Sequence, residues 1–141
     1  MYLFDVIFVC TGNTCRSPMA EAIAKNLMPN RAFASMGVAA SNGMPASENA
    51  CRVMKTWGLD LSSHKSKVLD HMLLSNAKLV LTMTWMHLLA VKSFSKEANV
   101  FTLAGYLGEH KDISDPFGGD YKTYLDCAEE IKSLITFLKI N

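Results

Sequence analysis

The chain has 141 residues, half of them hydrophobic and 19% charged, a composition that excludes disordered and fibrous classes and predicts one globular domain over residues 1–141. Its net charge of +1 argues against a nucleic-acid partner held by bulk charge. The four cysteines lack the paired spacing of a secreted disulfide framework, and no signal peptide or membrane span is visible, so we expect a cytoplasmic protein with reduced thiols.

The sequence opens with a strand pattern that leads directly into a helix pattern. Residues 3–9 form an apolar run rich in Val, Ile and Phe, typical of a strand buried on both faces, and the turn signal at Gly12 ends it. Ser17 is predicted as the N-cap of the helix and Pro18 as its first residue, because these residue types favour those positions. A short loop over residues 10–17 therefore joins the two elements.

The rest of the chain alternates between strand and helix patterns. In order, we predict a strand over 32–36, a helix over 46–57, a weaker helical segment over 67–74, a strand over 77–83, a helix over 85–91, a strand over 99–102, a loop over 109–120 and a helix over 121–138. Such alternation predicts an α/β fold with three layers, in which helices cover both faces of a four-stranded parallel sheet. Ligands bind such sheets beyond the carboxyl ends of the strands.

The loop CTGNTCRS at residues 10–17 lies at that end of the sheet. Backbone N–H groups that lead into a helix, together with the helix dipole, attract an anion such as phosphate. Gly12 permits a backbone path that a side chain would block, Asn13 tolerates positive φ, and Arg16 can bind two phosphate oxygens. We therefore predict a phosphate-binding loop, whose contacting residues are Thr11, Gly12, Asn13, Thr14, Cys15, Arg16 and Ser17.

Cys10 is predicted to lie at the floor of this loop. The helix dipole, the N–H groups and Arg16 all favour the thiolate form there, and a thiolate is a nucleophile. The alternative is a buried cysteine at a strand end with no chemical role, because free Cys behaves as a small hydrophobe. The spacing of Cys10 and Arg16 arises too often by chance to decide, but its position between a buried strand and a helix favours the catalytic interpretation.

The segment CTGNTCRSPMAE at residues 10–21 contains a Cys-x5-Arg loop and resembles bacterial members of the low-molecular-weight protein tyrosine phosphatase family. The resemblance extends through Ser35 and His64 to the Asp-Pro-Phe segment at residues 115–117, and so covers essentially the whole chain. It implies the four-stranded parallel sheet of that family. It also implies a cysteine-dependent protein phosphatase that works through a cysteinyl-phosphate intermediate.

The resemblance further implies roles for residues outside the Cys-x5-Arg core. Asp115 corresponds to the general acid that protonates the leaving group, although an isolated Asp-Pro pair is otherwise an ordinary turn opener. Ser17 corresponds to a residue that holds the thiolate. Asn13, Ser35 and His64 correspond to a hydrogen-bond network that braces the loop, with a surface helix cap as the alternative role of His64.

Thr14 indicates which phosphorylated residue is bound. Tyrosine phosphatases of the family usually carry an aliphatic residue there, whereas the branch that resembles bacterial protein arginine phosphatases carries Thr together with Asp-Pro-Phe-Gly, as at residues 115–118. A threonine hydroxyl can accept a hydrogen bond from guanidinium, Asp115 can pair with it, and Phe117 can stack on it. We predict phosphoarginine as the substrate, with phosphotyrosine as the alternative because Thr and Ile are both β-branched.

Other functions are less well supported by the sequence. Related arsenate reductases relay oxidation through cysteines after the third strand, and residues 77–95 contain none. A phospho-residue binding module would need neither a nucleophile nor an acid. Cys10 and Cys15 lack the paired ligands of a zinc site, so no metal or cofactor is predicted. A reversible disulfide between these two cysteines is a separate hypothesis. We expect a monomer whose partners are phosphorylated proteins, without nucleic acid or membrane, and packing roles for Cys51 and Cys127.

Overall fold

The computed structural model describes residues 1–141 and contains a parallel sheet in the order β2-β1-β3-β4. The strands are β1 (Phe4–Cys10), β2 (Phe33–Gly37), β3 (Ala77–Thr82) and β4 (Val100–Thr102). The helices are α1 (Arg16–Leu27), α2 (Glu48–Thr56), α3 (His71–Ser75), α4 (Trp85–Phe94), α5 (Leu103–Tyr106) and α6 (Tyr121–Thr136). The predicted α/β class and the four-stranded parallel sheet are confirmed.

Strand β1 is buried on both faces because its side chains are apolar on both. Val6 and Phe8 belong to the larger core, which they share with α1, α2 and α6. Ile7 and Val9 point the other way, into the smaller core shared with α3 and α4. Each such side chain contributes about 1.5–3 kcal/mol when fully buried. The two cores give the fold its three layers, with the sheet between two layers of helices.

The sheet topology places the loop after β1 at a crevice. From β1 the chain crosses to β2 on one side, and β3 then pairs with the opposite edge of β1. Open α/β sheets bind their ligands where the strand order reverses direction in this way, beyond the carboxyl ends of the strands. Residues 11–15, which connect β1 to α1, lie at that position.

The start of α1 differs from the prediction. The helix begins at Arg16, with Cys15 in the N-cap position and no side chain capping it. Ser17 is therefore not the N-cap, and Pro18 is not the first helical residue. The physical reason is that the Ser17 hydroxyl lies 2.9 Å from Cys10 Sγ instead of bonding to the helix backbone.

Two further elements differ from the prediction. The helical segment predicted over 67–74 is the shorter α3, which begins only after the N-cap Asp70, because Val68 forms a bridge to Gly37 of the sheet. The single turn of α5 was not predicted, and Thr102 caps it by accepting a hydrogen bond from the Gly105 backbone. No helix in the chain combines the length and apolar character needed to cross a membrane.

Candidate active site

The loop between β1 and α1 surrounds a cavity of about 270 Å³. None of the backbone N–H groups from Thr11 to Cys15 donates to another protein group, so they are available to an anion. The cavity is lined by the loop and by two residues of the 109–120 segment: Cys10, Thr11, Gly12, Thr14, Cys15, Arg16, Asp115 and Phe117. The structure thus brings most of the residues predicted for the site into one pocket.

The Cys10 thiol is buried at the base of this pocket and contacts Ser17. The two side chains lie 2.9 Å apart, from Sγ to Oγ. Ser17 Oγ accepts a hydrogen bond from Asn13 Nδ2 at 2.8 Å, which leaves the Ser17 hydroxyl hydrogen for Cys10 Sγ or for the Met36 carbonyl oxygen at 3.3 Å. A negatively charged sulfur is the stronger acceptor, so this arrangement stabilises a thiolate.

The buried Asn13 side chain holds the loop in place through hydrogen bonds. Its φ of 56° is in the left-handed region, which Asn adopts more readily than most residues. Its amide nitrogen donates to Ser17 and to Ser35 Oγ at 2.9 Å, and its amide oxygen accepts from the Lys67 backbone at 2.9 Å. His64 Nε2 lies 2.7 Å from the Asn13 carbonyl oxygen and donates to it. The hydrogen bonds of the predicted bracing network are therefore present. The Asn13 and Ser17 side chains lie outside the cavity lining, and contact of these two residues with phosphate stays a prediction.

Arg16 connects the phosphate loop to the 109–120 segment. Its guanidinium, only 4% exposed, donates from Nη1 to the Ile113 carbonyl oxygen at 2.8 Å and lies 3.5 Å from Asp115 Oδ2. The Asp115 side chain is 50% exposed, so this ion pair contributes little to stability. The other carboxylate oxygen accepts from the Phe117 backbone at 3.0 Å. Asp115 is thus held at the mouth of the cavity with one face open to a substrate.

Thr14 and Phe117 both line the cavity. The one side-chain partner of Thr14 Oγ1 is Cys15 Sγ, at a long 3.7 Å, so the hydroxyl is free to bind a substrate. Phe117 is 79% exposed, and its ring forms an apolar rim beside Asp115. A hydroxyl, a carboxylate and an aromatic ring are therefore all present in the cavity lining.

Gly37, at the end of β2, approaches the phosphate loop closely and is not among the residues predicted for the site. A Cβ at this position would lie 2.5 Å from the Thr11 carbonyl oxygen and 2.8 Å from the Asn13 backbone nitrogen. These are rigid backbone atoms of the phosphate loop, so no side chain fits without moving it. A glycine at a strand end beside a ligand loop is the signal that could have identified this close approach.

We expect Gly37→Ala to lower kcat/KM by about 10- to 100-fold, because a displacement of the loop by about 1 Å is enough for such a loss. Steady-state kinetics on the folded variant measure the effect. Gly58→Ala is the matched control: it strains a glycine with φ of 76° that has nothing within 4 Å of its missing Cβ. An equal loss of kcat/KM in both variants would show that general destabilisation, and not crowding of the loop, is responsible.

The other cysteines differ from Cys10 in their surroundings. All four thiols are free. Cys15 Sγ lies 3.4 Å from the hydroxyl of Tyr124, whose pKa burial raises to about 12. Burial also raises the pKa of Cys127 to about 12 and the pKa of Cys51 in the same direction, so both remain thiols at neutral pH. The disulfide between Cys10 and Cys15 stays a prediction.

The fold and the pocket define a class: parallel α/β proteins with a phosphate-binding loop that contains a buried cysteine and an arginine. The sequence model for the low molecular weight phosphotyrosine protein phosphatases matches residues 5–139. The chain belongs to this family, and it is a protein phosphatase. The predicted family and enzyme class are confirmed.

Individual relatives cover nearly the whole chain. The low molecular weight protein-tyrosine-phosphatase PtpB of Staphylococcus epidermidis is 38% identical over 135 residues, which are 95% of this chain and 96% of that protein. The solved YwlE arginine phosphatase of Geobacillus stearothermophilus is 39% identical with a TM-score of 0.89, covering 94% of this chain and 88% of that one. The low molecular weight protein tyrosine phosphatase of T. tengcongensis is 40% identical with a TM-score of 0.86, covering 93% and 94%.

Proposed function

We propose that this phosphatase hydrolyses phosphoarginine on proteins. The observation that carries the proposal is that the cavity lining contains both the free Thr14 hydroxyl and the half-exposed carboxylate of Asp115. Guanidinium is planar, cationic and rich in N–H donors, and these two groups supply the oxygen acceptors it needs. Phe117 adds an exposed aromatic face against which the planar group stacks.

In the first step the Cys10 thiolate attacks phosphorus. The free N–H groups of the loop and the Arg16 guanidinium bind the phosphoryl oxygens and stabilise the charge of the transition state. As the S–P bond forms, the P–N bond to arginine breaks. Asp115, at the mouth of the cavity, donates its proton to the departing nitrogen, so that arginine leaves as guanidinium.

In the second step water hydrolyses the cysteinyl-phosphate. The Asp115 carboxylate takes a proton from the water as its oxygen attacks phosphorus. The P–S bond then breaks, and the electron pair returns to Cys10 as thiolate, which the Ser17 hydroxyl stabilises at 2.9 Å. Inorganic phosphate leaves, and Asp115 is again protonated for the next cycle.

Phosphotyrosine is the second candidate substrate, and the relatives support both. Two of the similar solved structures are named as YwlE arginine phosphatases, and other relatives are named as tyrosine phosphatases. Phe117 suits a phenyl ring as well as a guanidinium. Thr14 favours arginine, because an aliphatic wall would leave guanidinium N–H groups unpaired whereas a phenol ring needs no acceptor there.

The test compares the wild-type protein on two peptides that differ only in phosphoarginine or phosphotyrosine. We expect the higher kcat/KM with phosphoarginine. Thr14→Val and Thr14→Ile remove the hydroxyl and should lower kcat/KM for phosphoarginine by about 10- to 100-fold, the range of one hydrogen bond to a charged group. Thr14→Ser keeps the hydroxyl and is the matched control. An equal or higher wild-type kcat/KM for phosphotyrosine would contradict the proposal that phosphoarginine is the substrate.

The cellular setting follows from the same chemistry. Cys10 attacks only as a reduced thiolate, which a reducing compartment such as the cytoplasm preserves. This chain supplies the nucleophile, the arginine and the acid of the proposed mechanism, Cys10, Arg16 and Asp115, which supports a monomer. We therefore propose a monomeric cytoplasmic enzyme whose partners are its phosphorylated protein substrates.

A further inference from the structure

His87 is a buried histidine of α4 that contacts the phosphate loop. Its backbone N–H donates to Thr84 Oγ1 at 3.2 Å, and its Nδ1 accepts a hydrogen bond from the Thr84 backbone at 3.2 Å, which completes a capping box at the start of the helix. A nitrogen that accepts from an N–H group carries no proton itself. The neutral ring therefore carries its proton on Nε2.

The Nε2 proton is directed at Thr11. His87 Nε2 lies 2.8 Å from Thr11 Oγ1, and Arg16 Nη2 donates to the same oxygen at 3.3 Å. A hydroxyl oxygen has two lone pairs, so these two donors use its whole capacity as an acceptor. The Thr11 hydroxyl can then act only as a donor, and Thr11 lines the cavity.

We propose that His87 is a positioning residue that forces the Thr11 hydroxyl to donate its hydrogen bond to an oxygen of the bound phosphoryl group. This proposal rests on the phosphatase function proposed above, because it takes the cavity as the phosphate site. It adds a side-chain donor to the backbone N–H groups of the loop. It also explains why a histidine of α4, distant in sequence, is packed against a loop residue.

Burial, together with the positive charge of Arg16, keeps the His87 ring neutral. Burial and then the positive charge of Arg16 lower the pKa of His87 to about 4, while Asp112 and Asp115 act in the opposite direction. A protonated ring would carry hydrogen on Nδ1 as well and would lose its bond from Thr84. At neutral pH the donor from Nε2 to Thr11 is therefore maintained.

The test measures the affinity of the whole protein for inorganic phosphate by calorimetry. Thr11→Val and His87→Leu should each raise Kd by about tenfold, the loss of a hydrogen bond to a charged group. The double variant should bind no more weakly than either single variant, because both remove the same interaction. His87→Gln should bind as the wild type does, since Gln retains the capping box and donates to Thr11. Additive losses, or a weak His87→Gln variant, would overturn the proposal.

A second measurement separates this proposal from the phosphatase function and remains available if His87→Leu fails to fold. Nitrogen-15 NMR of the wild-type histidine rings should show His87 with hydrogen on Nε2 alone at neutral pH. Hydrogen on Nδ1 would overturn the proposal. If neither phosphopeptide is hydrolysed while the phosphate affinities and the tautomer are as expected, the proposed substrate fails and the role of His87 stands.

Discussion

Replacement of Cys10 by Ser is expected to abolish turnover of phosphopeptides, with kcat lowered by roughly 10⁵- to 10⁶-fold, the order observed when a covalent nucleophile is removed from an enzyme. Serine fits the space of the thiol and can keep the contact with Ser17, 2.9 Å away in the wild type. Its hydroxyl is not ionised at neutral pH, however, and attacks phosphorus far more slowly. Single-turnover kinetics with either phosphopeptide measure the loss.

Two controls separate chemistry from folding in this experiment. Phosphate affinity and thermal unfolding of Cys10→Ser should stay close to the wild type, because the loop N–H groups and Arg16 are unchanged. Cys51→Ser is the matched variant: it alters a partly buried thiol of α2 that lies outside the cavity. Retention of more than about one per cent of wild-type kcat by Cys10→Ser would rule out Cys10 as the nucleophile.

Replacement of Asp115 by Asn is expected to lower kcat for phosphopeptides by about 10²- to 10⁴-fold, the usual contribution of a general acid. The amide oxygen of Asn can still accept the hydrogen bond that the Phe117 backbone donates to Asp115 at 3.0 Å. The 109–120 segment should therefore keep its conformation while the proton donor is lost. Steady-state kcat at neutral pH is the measurement.

The nature of the leaving group gives the sharpest control for Asp115. An aryl phosphate whose phenol is strongly acidic leaves without protonation, so Asp115→Asn should affect its hydrolysis much less than that of phosphoarginine. Asp126→Asn is the matched variant, since Asp126 is an exposed carboxylate of α6 paired with Lys122. Equal losses with both leaving groups would contradict the role of Asp115 as the acid.

Elements with strong local signals could be predicted from the sequence. Strand β1 is a continuous apolar run, and α6 carries a helical stripe of apolar residues, so both were placed within a few positions. Helix α5 has four residues, too few for a periodic pattern. The predicted helix at 67–74 begins earlier than α3 because Val68 pairs with Gly37, a long-range contact that no local pattern records.

The same distinction applies to the site. Cys10, Thr14 and Arg16 could be identified together because they lie in one short segment between a strand pattern and a helix pattern, and the sequence alone shows both patterns. Gly37 in β2 approaches the backbone of that segment closely, and His87 in α4 forms a hydrogen bond to Thr11. Both contacts join residues far apart in the sequence, so only the folded chain shows them. The residue type and position of Ser17 predict a helix cap, whereas in the structure its hydroxyl contacts the Cys10 thiol.

Rapid-quench mass spectrometry of the wild-type protein tests the nucleophile and the substrate together. The enzyme is mixed with the phosphoarginine peptide or with its phosphotyrosine counterpart, quenched within one turnover and digested to locate the phosphoryl group. The expected result is a phosphoryl group on Cys10 that forms faster from phosphoarginine, with the arginine peptide released. Hydrolysis of phosphoarginine without phosphorylation of Cys10, or phosphorylation of Cys10 by the phosphotyrosine peptide alone, would contradict the mechanism or the substrate, respectively.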